Sequence, residues 1–158
     1  MRKKQYEITD MAEMANIMEK CMACRIALND GDYPYIVPLN FGYSFEDGVI
    51  TLYFHSAGVG KKIEMLKENG RVGFEMDTSL RVVPADLPCD YAMEFESIVG
   101  KGEITFLEDE DKPFALQCIM NQYAKERGTF TFPKEMVAAT TVMKLTVREI
   151  TCKRIMKS

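Results

Sequence analysis

Residues 51–66, TLYFHSAGVGKKIEML, concentrate the widest chemical range in the chain. His55 is the single histidine; it follows an apolar run and precedes Ser56-Ala57-Gly58-Val59-Gly60 and then Lys61-Lys62. Imidazole is the one side chain whose unperturbed pKa falls between pH 5 and 8. A lone histidine at a strand end is therefore a candidate to hydrogen-bond or protonate a ligand, and also a candidate for a satisfied polar cap. The residues after it offer a glycine-containing turn, the free amides of a helix start, and two ammonium groups at the positive end of the helix dipole. That set suits a monophosphate or another anion, and it also suits an ordinary solvated lysine pair. Two stricter phosphate patterns fail. A Walker A loop ending at Gly60-Lys61 needs glycine at 55 and Ser or Thr at 62, where His55 and Lys62 stand, and a dinucleotide fingerprint needs glycine at 63, where Ile63 stands.

A second constellation, Cys21-Met-Ala-Cys24, has C-x-x-C spacing. A thioredoxin-type pair would sit at a helix N-terminus, where the dipole lowers a thiol pKa. Here the pair follows a helical stretch, and a zinc site would need further ligands that the isolated remaining cysteines and the lone histidine do not offer. Two small buried residues at a helix-to-strand junction is the favoured reading. The five cysteines are odd in number and scattered, which points to reduced thiols and a cytoplasmic location.

Composition sets outer limits. The chain has 158 residues, 47% hydrophobic and 28% charged, which is enough for one globular core. A formal charge of -4 with scattered basic residues gives no reason to expect nucleic acid or an anionic membrane as partner. The N-terminus carries Glu7, Asp10, Glu13 and Glu19 and so lacks the apolar core of a signal peptide, and no apolar run approaches the roughly 20 residues of a membrane span.

The elements that must position these residues follow from hydrophobic period. Met11, Met14, Ala15, Ile17 and Met18 recur at helical spacing behind Thr9 or Asp10 as N-cap, predicting a helix to about Cys21. Residues 25–28, a turn at 29–32 and an extended run over 33–43 predict a hairpin, and a turn at 46–48 leads into a strand over 49–55. A helix of about ten residues after Gly60 stops at Asn69-Gly70. Residues 71–78 read as strand, and 79–90, with Pro84 and Pro88, as a loop. Residues 91–107 form a long strand with a bend or bulge at Gly100 and Gly102, 109–125 a helix, and 142–150 a last strand. About six strands joined mostly by hairpins, with helices placed irregularly, predict a mainly antiparallel barrel with peripheral helices over a single domain, 1–158, on which an N-terminal helical segment, 1–22, packs. Pro34 and Pro38 each remove a ladder donor. Their strand is either an edge or a place where the backbone near Val37, Leu39 and Asn40 stays free for a flat heterocycle.

Four segments together carry a family resemblance: Cys24-Arg-Ile-Ala-Leu28, Tyr33-Pro-Tyr-Ile-Val-Pro-Leu-Asn-Phe-Gly-Tyr43, Leu52-Tyr-Phe-His-Ser-Ala57 with Gly60-Lys-Lys62, and Glu96-Ser-Ile-Val-Gly-Lys-Gly102. In this order and spacing the chain resembles the flavin-binding split-barrel superfamily, and within it the pyridoxamine phosphate oxidase-related proteins of the nitroimidazole-resistance type. The resemblance implies a six-stranded antiparallel split β-barrel that forms a homodimer with FMN in clefts between subunits. It implies that Val37, Pro38, Leu39 and Asn40 border the isoalloxazine ring, that Ser56, Ala57, Gly60, Lys61 and Lys62 form the ribityl and phosphate turn, and that Ser97 and Val99 lie near the cofactor or the dimer seam. His55 matches the family's histidine beside the flavin. The implied activity is flavin-dependent reduction of a small acceptor such as a nitroheteroaromatic, with His55 catalytic. The alternative is a non-catalytic binding or sensing protein for flavin, haem or a deazaflavin. The fuller arginine and lysine set of true pyridoxamine phosphate oxidases is missing, so that activity is not expected.

Overall fold

A computed structural model of the chain describes residues 4–124, 126 and 128–156. Residues 1–3 of the expected N-terminal segment, and Lys125 at the expected end of the second long helix, lie outside the described residues. A 3-10 turn at Lys4–Tyr6 leads to β1 (Glu7–Ile8) and α1 (Met11–Lys20). Asp10 caps α1, its carboxylate accepting from the Glu13 amide at 2.9 Å, and the helical spacing delivers Met14, Ile17 and Met18 to the core. Four strands follow: β2 (Cys24–Asp30), β3 (Tyr33–Leu39), β4 (Phe41–Glu46) and β5 (Val49–Ser56). Next come α2 (Lys61–Glu68), β6 (Arg71–Val83), β7 (Ala92–Phe106), α3 (Lys112–Tyr123), α4 (Lys134–Ala139) and β8 (Thr141–Ile155).

All strands pair antiparallel in one sheet of order β3-β2-β6-β7-β8-β5-β4, with β1 added beside β8. The fold is the expected antiparallel split barrel with peripheral helices, but among the described residues it has eight strands rather than six. One addition is the two-residue β1. The other arises because 33–43 is not one strand: pairing with β2 ends at Cys24↔Leu39, pairing with β5 begins at Phe41↔Phe54, and Asn40 stands between. The prolines therefore sit on an edge strand, where their missing donors cost no ladder bond on the open side.

Two further expectations are corrected. Residues 79–83 are strand, not loop: β6 continues past a register shift between Thr78 and Arg81, where Ser79 takes a φ of 58°, and re-pairs through Val82↔Met93. A bulge lets a strand absorb a turn-like residue without ending. Arg81 lies on this extension and its Nε donates to Glu94 at 2.7 Å. The predicted irregularity near Gly100 and Gly102 is present as a register shift between Lys101 and Gly102.

The main core lies inside the sheet and includes Ile26, Phe41, Leu52, Phe54, Ile98 and Leu145. β5 is buried on both faces, because Tyr53 points the other way into a second cluster with Ala115, Ile119 and Val142 beneath α3. Gly42 permits this: a Cβ there would stand 2.3 Å from the Cys118 carbonyl carbon, so only glycine lets α3 lie this close on β4. Cys21 ends α1 and Cys24 starts β2, both fully buried; burial first, then nearby carboxylates, pushes each thiol up to about 12. They are inert core residues, as the junction reading expects. At the far end of β7, Glu96 is 1% exposed and accepts from Lys20 Nζ at 2.9 Å, Ser79 Oγ at 2.7 Å and Arg154 Nε at 2.7 Å. Burial alone would raise this carboxyl, but the three donors outweigh it and hold the group at about 2. Among the described residues, no helix is long and apolar enough to cross a membrane.

Candidate functional site

β5 ends where its burial ends. His55 is exposed and pairs with Val142, Ser56 pairs with Thr141, and the chain turns through exposed Ala57, Gly58 and Val59 to Gly60. Gly60 adopts φ 118°, a conformation that side-chain-bearing residues avoid, and from it α2 starts with no side-chain cap. The Ile63 and Glu64 amides return to the Gly60 carbonyl. Helix starts leave their first amides without intrahelical acceptors, and here nothing from a capping side chain meets them.

Beside this start, the Ser56 hydroxyl is buried and without a hydrogen-bond partner. An orphaned buried hydroxyl is costly unless something outside the chain completes it. Lys62 is half-buried, and Lys61 is exposed. The Lys61 ammonium donates to Asp30 on β2 and lies 4.9 Å from the centroid of the Tyr35 ring on β3. The Asp30 hydrogen bond is the main cause holding the Lys61 pKa above its ordinary value. One buried hydroxyl, two lysines and an uncapped helix start thus follow one another within residues 56–62, groups of the kind that suit an oxyanion. Among the described residues, no group of three or more His, Cys, Asp or Glu could hold a metal ion.

The β3 wall adjoins this turn. Val37 and Leu39 are half-buried against the core, while Pro38 and Asn40 are exposed. Asn40 lies one residue before the first β4–β5 pair and His55 one residue after its partner, so the register brings these two together at the sheet's open end. Val37 through Asn40, at the end of β3, and His55 through Lys62, after β5, thus lie near the split of the sheet, with Val37 and Leu39 packed on the core and Pro38 exposed.

Ser97 and Val99 lie far from His55 within one chain. Both lie on the outer face of β7, and Val99 pairs with Thr151 while His55 pairs with Val142 on the same strand. At about 3.4 Å per residue, that is on the order of 30 Å along β8. Instead, Pro38, Arg25, Glu75 and Val99 form one lateral row across β3, β2, β6 and β7. On this uncovered outer face Ile36 is 59% and Val99 50% exposed, above a cavity of about 390 Å³ floored by Ala27, Gly73 and Gly100.

Asp30 and Tyr35, which hold Lys61, escape a reading of the sequence. Asp30 reads as turn chemistry and Tyr35 as an ordinary strand aromatic, and their convergence on Lys61 depends on β2–β3 pairing and the return of α2.

Against known proteins, a family model described as pyridoxamine 5'-phosphate oxidase matches residues 10–154. Among the curated proteins no sequence matches. Among solved structures, the chain is 34% identical to a candidate 5-nitroimidazole antibiotic resistance protein from Bacteroides thetaiotaomicron, covering 93% of this chain and 85% of that one with a TM-score of 0.78. It also shares its fold with an FAD- and haem-binding protein from Mycobacterium smegmatis, at 17% identity, 96% and 74% coverage and TM-score 0.82. A NimC/NimA family protein from Clostridium acetobutylicum gives 16%, 94% and 87%, and 0.60. With a family match spanning nearly every strand of the sheet, this chain belongs to the pyridoxamine 5'-phosphate oxidase family.

Proposed function

We propose that this chain, as one flavin-binding domain over 1–158, binds FMN and works as a flavin-dependent oxidoreductase on a small acceptor such as a nitroheteroaromatic. The observation that carries the reading is the buried, unpartnered Ser56 hydroxyl beside the uncapped start of α2 and the Lys61-Lys62 pair. In this reading Gly60, Lys61 and Lys62 hold the phosphate, Ser56 and Ala57 follow the ribityl chain, and Val37, Pro38, Leu39 and Asn40 border the ring. A bound flavin supplies the redox chemistry. His55, exposed at the ring end, presents a hydrogen bond or a proton to the reacting group of the acceptor. The acceptor class is supported by the Bacteroides relative, itself described as a nitroimidazole resistance protein.

The working form in this reading is a cytoplasmic homodimer. The outer face pairs exposed apolar residues with balanced charge: Arg25, Arg71, Lys101 and Arg148 stand among Glu75, Asp77, Glu103 and Glu149. A two-fold contact requires such self-complementarity, and a second copy is what could bring Ser97 and Val99 to a site they do not reach in their own chain.

The test is direct. Purified protein should be yellow or gain thermal stability from added FMN, then bleach with NAD(P)H or dithionite and regain colour with a 5-nitroimidazole. His55→Ala should retain FMN and lose acceptor reduction by ~100-fold, the lower range for general acid–base catalysis. Full reduction by that variant removes the catalytic role. Sedimentation at micromolar concentration should give twice the chain mass.

A second reading, a flavin or haem carrier or sensor without turnover, is favoured by one observation. Among the described residues no hydrogen bond orients the His55 ring, whereas a proton donor is ordinarily held by one. Colour that bleaches but is not restored by any nitro compound would select it.

A further inference from the structure

The sheet begins at β3 and ends at β4, strands joined only through Asn40, so the barrel is split where the proposed ring-binding wall meets His55. At that split the Phe41 amide does not find its acceptor on a neighbouring strand. It donates to the Tyr123 hydroxyl at 3.0 Å, and the same hydroxyl donates to the Met22 carbonyl at 3.0 Å. Met22 sits just before Cys24, the residue paired with Leu39. One hydroxyl, with its donor and an acceptor both engaged, thus ties the first residue of β4 to the chain entering β2, the strand that pairs with the end of β3. The preceding residue repeats the pattern. Gln122 Nε2 donates to the Met18 and Cys21 carbonyls, each at 2.9 Å, and to the Glu19 carbonyl at 3.3 Å, covering the C-terminal end of α1, where the Met18 carbonyl also accepts from the Cys21 amide. The final turn of α3 therefore clasps the end of α1, the entry to β2 and the first residue of β4.

We propose that Tyr123, supported by Gln122, is a positioning residue that fixes the split of the barrel and with it the placement of Asn40 against His55. The proposal rests on the flavin reading for its functional consequence, since Asn40 is there a wall of the ring site. It predicts that loosening the hydroxyl affects binding of the ring and leaves the phosphate turn intact, because among the described residues no hydrogen bond links Tyr123 to Gly60, Lys61 or Lys62.

The test is Tyr123→Phe, which keeps the aromatic packing and removes only the hydroxyl. Dissociation constants are measured for FMN and for lumiflavin, which has the ring but no ribityl phosphate. Loss of one net hydrogen bond at the wall should raise both constants by the same factor, roughly five- to tenfold, and should shift the visible flavin band. Ser56→Ala should instead weaken FMN and leave lumiflavin unchanged. Gln117→Ala, which releases α3 from the Phe130 amide it holds at 2.8 Å, controls for general loosening of the helix. Equal constants for Tyr123→Phe and wild type, or equal losses in Tyr123→Phe and Gln117→Ala, overturn the proposal. Should Tyr123→Phe not fold, Gln122→Met replaces it, with the same pattern and a smaller factor expected. If the wild-type protein binds neither flavin, the flavin reading is what fails, and the clasp is read by hydrogen exchange. Tyr123→Phe should then speed exchange of the Phe41 amide severalfold relative to the β7–β8 amides, and unchanged Phe41 exchange defeats it.

Discussion

The two ends of β8 treat buried polar groups in opposite ways. At its end, Arg154 faces Glu96, whose carboxylate is completed by three donors from α1, β6 and β8. At its beginning, Thr141 faces Ser56, whose buried hydroxyl is completed by nothing in the chain. The first arrangement ties α1 and the β6 bulge to the barrel. The second stores an unmet hydrogen bond next to two cations and a bare helix start. Buried polarity is completed within the chain at one end and left unpartnered at the other.

The comparison breaks most visibly at the closed end. Glu96→Ala takes its carboxylate from Lys20 and leaves Arg154 only the more distant Glu13, at 3.6 Å, and should cost about 3 kcal/mol, or roughly 10 °C in melting temperature, while leaving the stoichiometry of FMN binding to folded protein unchanged. A loss below 1 kcal/mol in urea unfolding would mean the network is not structural. The same carboxyl gives the acid limit. Its folded pKa of about 2 lies below the unfolded value near 4.5, so its contribution is present in full above about pH 4.5 and is lost as pH falls from there towards 2. Urea midpoints of wild type and Glu96→Gln should therefore converge across that window, and parallel curves would contradict the assignment.

At the open end the sign reverses. Ser56→Ala should stabilise the ligand-free protein by about 1 kcal/mol, because it removes an unsatisfied buried hydroxyl, while weakening FMN about tenfold. Lower stability together with unchanged FMN affinity would show that Ser56 belongs with Glu96, on the structural side. The smallest effect is expected at Asp30→Asn. Freeing Lys61 from its carboxylate should tighten FMN two- to threefold at low salt, by roughly the worth of an exposed pair, and the gain should vanish at high salt. A loss of affinity would make Asp30 a support that aims Lys61 rather than a competitor for it.

Much of the positioning frame was legible in sequence. The change of period at Gly60 and the cap at Asp10 are local signals, written within a few residues, and β5, α2 and α1 follow from them. What escaped was set by distant partners. Ser79 reads as the start of a loop because Pro84 and Pro88 follow it, yet β7 carries β6 across its left-handed backbone to Val83. Asn40 looks like one more residue of a strand because its break is made by a change of neighbour, from β2 to β5, which no local pattern records. The six-residue α4 is too short to show a period. For the candidate site, the glycines and lysines announce themselves by type, whereas Asp30, Tyr35 and Tyr123 are ordinary residues given meaning by contacts far apart in sequence.

The strand order has a consequence in time. The β2–β3 and β4–β5 hairpins and the β6–β7 pair can form from residues already synthesised, but the strand that joins β7 to β5 is β8, which follows all of them in the chain. Until it emerges, β5 and β7 each hold out an unpaired edge, and β5 is apolar on both faces. The interval before β8 arrives is therefore when a nascent chain is most exposed to pairing with the wrong neighbour.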